Sequence, residues 1–261
     1  MLRPLLLLLC FSALLSAQVR TPHAGFVRYD DGTVREAQGI EASFVLSDPI
    51  ATSVDAASFS DVGGMISAQG VIRLLGPSGL VIGEEQSGET HPLLNIEGDL
   101  PSAIAWLPSA QAILRWDGTS FRKTSLTVAV AGQVTSLRAV GHTADLLVRN
   151  ENAVSAVTIS LDSGDQVSDR LVPDVTVAAI QFKGYVVYRG EDGVEFASAD
   201  GSRRTAPMPA PDLTVERMSS DWLHLESHAT ARHWALHVTA TGLQLSELPG
   251  QAPSSTLRGG K

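Results

Sequence analysis

One stretch constrains the fold more than any other, because between residues 173 and 250 the chain runs through the same pattern twice. Pro173-Asp174-Val175-Thr176-Val177 returns about 38 residues later as Pro211-Asp212-Leu213-Thr214-Val215. Short apolar or alternating runs follow each copy, with turn residues between them. Tyr185-Val186-Val187-Tyr188 and Gly193-Val194-Glu195-Phe196 follow the first, Trp222-Leu223-His224-Leu225 and Trp234-Ala235-Leu236-His237-Val238 the second. Self-similarity at a period of roughly 20–50 residues marks a solenoid, a propeller or an array, whose units hide their apolar faces only against a neighbour.

The upstream chain keeps the same rhythm. Residues 25–29 and 33–37 are alternating runs around Asp30-Asp31-Gly32, and Asp-Gly between β-rich runs signals a hairpin. Unit openings fall near Val54, Ala103, Thr135, Thr176 and Thr214, irregular but close to a 40-residue spacing. Past the first seventeen residues, hardly any segment shows the i, i+3, i+4, i+7 apolar spacing of an amphipathic helix. Strands of a few residues with turns between them fit a sandwich, a barrel or a propeller, and the period selects the last. The expectation is an all-β chain, a single β-propeller of about six four-stranded blades over residues 18–250, with five or seven also compatible. The hairpin at residues 25–37 is expected to complete the last blade. The tail at residues 251–261, rich in Gly, Pro and Ser, is expected to be disordered.

Ala103-Ile104-Ala105-Trp106-Leu107-Pro108 and Ala112-Ile113-Leu114-Arg115-Trp116-Asp117-Gly118 look like first strands of propeller blades. With the repeat, they make the chain resemble β-propeller proteins, in particular uncharacterised secreted bacterial ones in which a signal peptide precedes degenerate blades. The resemblance is architectural and spans most of residues 25–250. Gly141-His142 and Trp116-Asp117 each occur once, in different units, so the paired signature of WD40 blades is not reproduced. Nothing catalytic follows from the resemblance.

Residues 1–17 read MLRPLLLLLCFSALLSA, one positive charge, an apolar run and small residues, which is the layout of a secretory signal peptide. A secreted or periplasmic product is therefore expected, and no later segment holds the 18 or more apolar residues of a membrane span. Cys10, the only cysteine, lies in the leader, so the mature chain has no disulfide, thiolate metal site or cysteine nucleophile. A formal net charge of −9 lacks the electrostatic footprint of a nucleic-acid binder.

Polar functional groups are densest in the last unit, at His224, Glu226, His228, His233 and His237. Residues two apart on a strand share a face, which puts His224 with Glu226, and His233 with His237. If the turn sets His224 opposite His233, two imidazoles and the Glu226 carboxylate converge as a Zn²⁺ ligand set; a slip of one residue puts Trp234 there instead. The competing reading is a solvated hairpin face. Ser120-Phe121-Arg122-Lys123 matches S-x-x-K only formally, since a strand points Ser120 and Lys123 to opposite faces. The acidic turns at residues 30–32, 162–165 and 191–193 lack the alternating ligands of an EF-hand. Trp106, Trp116, Trp222 and Trp234 fit inter-blade packing better than a sugar-stacking platform.

These features point to a non-catalytic secreted binding or scaffold module, monomeric, taking a protein or glycan ligand on loops at one end of the central channel, with no cofactor. The alternative is a secreted hydrolase or lactonase-type enzyme with its site at the channel. An Asp, Glu or His cluster at the channel mouth separates the two.

Overall fold

The computed structural model describes residues 23–40, 43–208, 210 and 212–250. The leader and the tail therefore lie outside the described residues. What is described is a ring of six β-sheets, each an antiparallel meander read outward in chain order. Blade 1 is β1 (His23–Arg28), β2 (Val34–Ile40) and β3 (Ser43–Leu46). Blade 2 is β4 (Ala56–Ser60), β5 (Gly63–Ala68), β6 (Val71–Leu75) and β7 (Val81–Gln86). Blade 3 is β8 (Leu93–Asn95), β9 (Ile104–Leu107), β10 (Ala112–Trp116) and β11 (Phe121–Ser125). Blade 4 is β12 (Gln133–Val140), β13 (Thr143–Arg149), β14 (Val154–Ser160) and β15 (Gln166–Val172). Blade 5 is β16 (Ala179–Phe182), β17 (Tyr185–Arg189), β18 (Gly193–Ser198) and β19 (Arg203–Pro207). Blade 6 is β20 (Leu213–Arg217), β21 (Trp222–Ser227), β22 (Arg232–Val238) and β23 (Leu243–Leu248). The one helix among the described residues is a 3₁₀ turn at Leu100–Ser102, capped by the Asp99 side chain.

The core is divided six ways, one apolar cluster at each blade-to-blade interface. Strands alternate their side chains between two faces, so a blade offers one apolar face to each neighbour and stands only in their company. Trp116 packs so closely over Gly83 of blade 2 that any larger residue there would collide with the indole.

The six-bladed ring agrees with expectation, but its phasing corrects three readings. The N-terminal hairpin does not complete the last blade. It joins β3 in a sheet of its own, with an isolated bridge from Val34 to Ala51, while blade 6 draws all four strands from the C-terminal stretch. The segments around residues 103–108 and 112–118 are the second and third strands of blade 3, because its inner strand is the three-residue β8, too short to register as an apolar run. The two repeat copies also differ in place: residues 173–177 precede β16, whereas residues 213–215 already belong to β20. Inner strands begin at His23, Ala56, Leu93, Gln133, Ala179 and Leu213, at intervals of 33 to 46 residues.

Among the described residues no strand is shared between the first and last blades, and local contacts join them. Phe26 N–H donates to Met218 O at 3.2 Å, and Ser219 Oγ donates to Ala24 O at 2.8 Å. Gly25 sits between them at φ +135°, and a Cβ there would press on the Met218 carbonyl. Only glycine combines that backbone with that proximity.

Candidate functional site

Two places in the ring collect polar chemistry. The first is the central channel, a cavity of about 420 Å³ walled by the inner strands. Much of its polar lining is consumed in stitching those strands together. Thr135 Oγ1 donates to Ala179 O at 2.7 Å, Ser136 Oγ accepts from Gln181 N–H at 2.9 Å, and Ser58 Oγ accepts from Ile96 N–H at 3.2 Å. Arg28 and Glu216 pair across the seam at 3.2 Å. Arg217 is deeply placed, stacked on Phe182 at 4.9 Å and bridged to Glu97 at 3.4 Å. Two further groups stand on this wall: Arg189, exposed at the end of β17, and the buried Gln181 Oε1, which accepts no hydrogen bond from the described residues.

The second is the seam between blades 6 and 1. In the β21–β22 hairpin Ser227 pairs with Arg232, leaving a four-residue turn, residues 228–231. Ser227 Oγ holds that turn by accepting from Thr230 N–H and Thr230 Oγ1, and itself donates to Asp212 at 2.7 Å. The resulting register pairs Glu226 with His233 and His224 with Ala235. His224 is thus not directly opposite His233, as the conditional arrangement required, but displaced by two residues. An even displacement keeps the face, so His224, Glu226 and His233 still meet.

They meet in the interior rather than on a solvated face: His224, His233 and Glu226 are 2%, 4% and 6% exposed. The imidazoles stack with centroids 5.2 Å apart and planes at 8°, and His224 Nε2 lies 3.0 Å from His233 Nδ1. Glu226 Oε1 is 4.0 Å from His233 Nε2, and Glu216 Oε2 is 4.0 Å from His224 Nδ1. Tyr29 covers His233 at 4.7 Å and donates its hydroxyl to Pro249 O at 3.2 Å. Outward, His228 Nδ1 stands 3.7 Å from Glu226 and 3.6 Å from Asp30 in the blade 1 turn. A file of charged and polar groups, Arg28, Glu216, His224, His233, Glu226, His228 and Asp30, therefore crosses the seam from channel to surface.

Burial sets the protonation along this file. It pushes the His233 imidazole down to about 4, helped by its neighbour His224, so the ring is neutral at pH 7. It pushes the Glu226 carboxyl up, with the nearby Asp30 charge acting in the same direction. It raises the Tyr29 phenol well above its ordinary value. For Glu216, burial acts upward too, but the neighbouring His224 imidazole and the Arg28 charge outweigh it and the carboxyl is held low. Its side chain is 42% accessible because it borders the channel, though it sits deep within the ring.

The remaining candidates separate cleanly. His237 lies against Trp222, rings stacked at 4.2 Å, at the far end of the same face. Trp106, Trp116 and Trp234 are buried between blades, so the four tryptophans make no stacking platform. Ser120 precedes β11 and Lys123 lies on it, exposed, with no helix to join them. The acidic turns carry turn chemistry: Asp31 accepts from Thr33 N–H at 2.8 Å, and Asp165 from Ser163 and Thr127. Sequence reasoning missed Glu216, Tyr29, Arg189 and Gln181. Glu216 had a signal, since it alternates with Thr214 on the strand that pairs with His224.

Comparison with known proteins supports the architecture and nothing finer. No family profile matches the chain, and no curated protein is similar to it in sequence. Among solved structures it is similar to a chain from a nidogen/laminin complex, at TM-score 0.55 and 12% identity over 86% of this chain and 96% of that one. It is also similar to the β-propeller domain of Cps50 (Swd1) from Myceliophteria thermophila, at TM-score 0.48 and 9% identity, covering 88% and 89%. A third is the WD40 domain of coronin from Toxoplasma gondii, at TM-score 0.47 and 10% identity, covering 87% and 70%. The chain is a six-bladed β-propeller. Such distant likeness carries no function.

Proposed function

We propose that the chain is a secreted, non-catalytic binding module that takes an acidic glycan unit into its central channel. One observation carries this reading: a cavity of about 420 Å³ whose wall presents the exposed Arg189 and holds the Gln181 carbonyl oxygen without a hydrogen-bond partner among the described residues. That volume falls within the roughly 300–1,000 Å³ typical of small-ligand sites and suits one or two sugar units rather than a polypeptide segment. Arg28 is paired with Glu216 and Arg217 with Glu97, which leaves the exposed Arg189 as the cation a carboxylate-bearing ligand would meet. Gln181 Oε1 lies just beneath the wall, and turning its amide toward the cavity gives a sugar hydroxyl an acceptor. The His and Glu cluster lies between blades rather than at the channel mouth, which weighs for binding over hydrolysis. Among the described residues, no helix is long and apolar enough to cross a membrane. The leader adds the secreted location, and a monomer is the simplest assembly.

A glycan screen by calorimetry tests this. The expected result is a uronic-acid glycan bound with an affinity that Arg189→Ala lowers about 10-fold or more and Gln181→Ala lowers less. Binding indifferent to both substitutions refutes the channel as the site, and NMR detection of ligand turnover replaces the module with the hydrolase alternative.

A further inference from the structure

The seam carries more than closure requires. Polar groups are costly inside an interface, and two imidazoles with a carboxylate do not improve on the apolar packing used at the other five. His224, Glu226 and His233 each offer one ligand atom within 4.8 Å of the others, and all three are buried. Asp30, Glu226 and His228 form a second such group that shares Glu226 and opens to the surface.

We propose that the blade 6–blade 1 seam is a zinc site in which His224, His233 and Glu226 hold the ion and Asp30 and His228 form its entry. The donor set is the reason for zinc: two imidazole nitrogens and one carboxylate oxygen suit Zn²⁺ or its transition-metal neighbours and are poor for Mg²⁺ or Ca²⁺, which take oxygen. Spacing agrees. With bonds of about 2.05 Å, two nitrogens on a tetrahedral ion lie about 3.3 Å apart, and His224 Nε2 and His233 Nδ1 are 3.0 Å apart, a difference met by slight ring rotation. Glu226 Oε1 lies 4.0 Å from the other nitrogen of His233, Nε2, so its side chain must swing toward the imidazole pair to complete the set. The arrangement behind the ligands agrees as well. A metal-bound imidazole ordinarily turns its other nitrogen to a carboxylate, and His224 Nδ1 faces Glu216 at 4.0 Å. Tyr29 seals the inner side over His233. A bound ion would tie β21 to β22 in blade 6, and on its way in would bridge to blade 1 through Asp30. All three ligands belong to the β21–β22 hairpin, so metal loading stiffens the blade 6 face on which blade 1 packs.

The test is a Zn²⁺ titration of the chelator-stripped chain, read by metal analysis after dialysis and by thermal unfolding, with Co²⁺ as a spectroscopic probe. Expected are one zinc per chain, a rise in Tm that grows with free zinc, and the intense visible bands of a tetrahedral Co²⁺ centre. Glu226→Gln and His224→Gln should each weaken zinc binding at least 10-fold, and Glu216→Gln, which removes the carboxylate behind His224 together with its Arg28 ion pair, about 10-fold. Should a variant fail to fold, the Co²⁺ spectrum of the unaltered chain decides. Absence of zinc after dialysis, weak octahedral Co²⁺ bands, or binding undiminished by His224→Gln overturns the proposal. The last outcome would place the ion elsewhere, for instance on the exposed His142–Asp162 pair. The result is independent of what the channel binds.

Discussion

The interface between blades 5 and 6 and the seam between blades 6 and 1 share two strands and differ in almost everything else. Leu223 and Leu225 of β21, with Trp234, Leu236 and Val238 of β22, face blade 5 and join Phe182, Val187, Val194 and Phe196 in an all-apolar cluster. The intervening residues His224, Glu226, His233 and Ala235 face blade 1, where Ala24, Val27, Phe44 and Met218 surround a polar centre. One hairpin, read on its odd and even positions, thus builds two interfaces of opposite chemistry. The first needs only apolar area removed from water. The second holds a carboxylate and two imidazoles out of water, with the rings hydrogen-bonded to each other, an arrangement that costs more desolvation than apolar packing and that a bound ion would offset.

Breaking the apolar side should produce the largest effect. Phe196→Ala empties a fully buried ring position between blades 5 and 6 and should cost about 3–5 kcal/mol in denaturant unfolding, with the seam's metal affinity unchanged wherever the fold survives. The polar side should instead answer to pH. In the folded, metal-free chain His233 is held neutral to about 4, while an unfolded histidine takes up its proton near 6.5. Its contribution is therefore whole above pH 6.5 and drains away as pH falls toward 4, at up to about 1.4 kcal/mol per pH unit. Unfolding in chelator across that window should show a steeper loss for the unaltered chain than for His233→Gln. The groups facing the ring, Tyr29, His224, Glu226, His228 and Asp30, are present in both.

Glu226 has the opposite sign. Its raised pKa means that stability present below pH 4.5 is lost as pH rises and the buried carboxylate must ionise. Glu226→Gln should accordingly raise the metal-free stability at pH 7 by about 1–2 kcal/mol, converge with the unaltered chain below pH 4.5, and abolish the zinc-induced Tm shift. Gain without metal and loss with it, in one substitution, sharpens the contrast between a stabilising interface and a binding one. The smallest effect is expected at the rim of blade 6, where Arg232 and Glu247 pair at 2.8 Å in solvent. Glu247→Gln should leave Tm unchanged within error, since exposed pairs are screened and cost side-chain freedom.

Local pattern alone carried the all-β class, the repeat near 40 residues, the ring of about six blades and the grouping of His224, Glu226 and His233. Each of these depends on strand parity and on turns, which neighbouring residues dictate. Parity even survived an error of two residues in the β21–β22 register, because the side-chain period is two. Phasing did not survive. Whether residues 25–40 patched the last blade or founded the first depended on which sheet edges come together when the ring closes, a contact nearly 200 residues apart in the chain: Ser219 to Ala24. For the same reason Tyr29 and Asp30 joined the histidines only in three dimensions. Their sequence neighbourhoods say strand and turn, and it is the meeting of the first and last blades that makes them walls of one site.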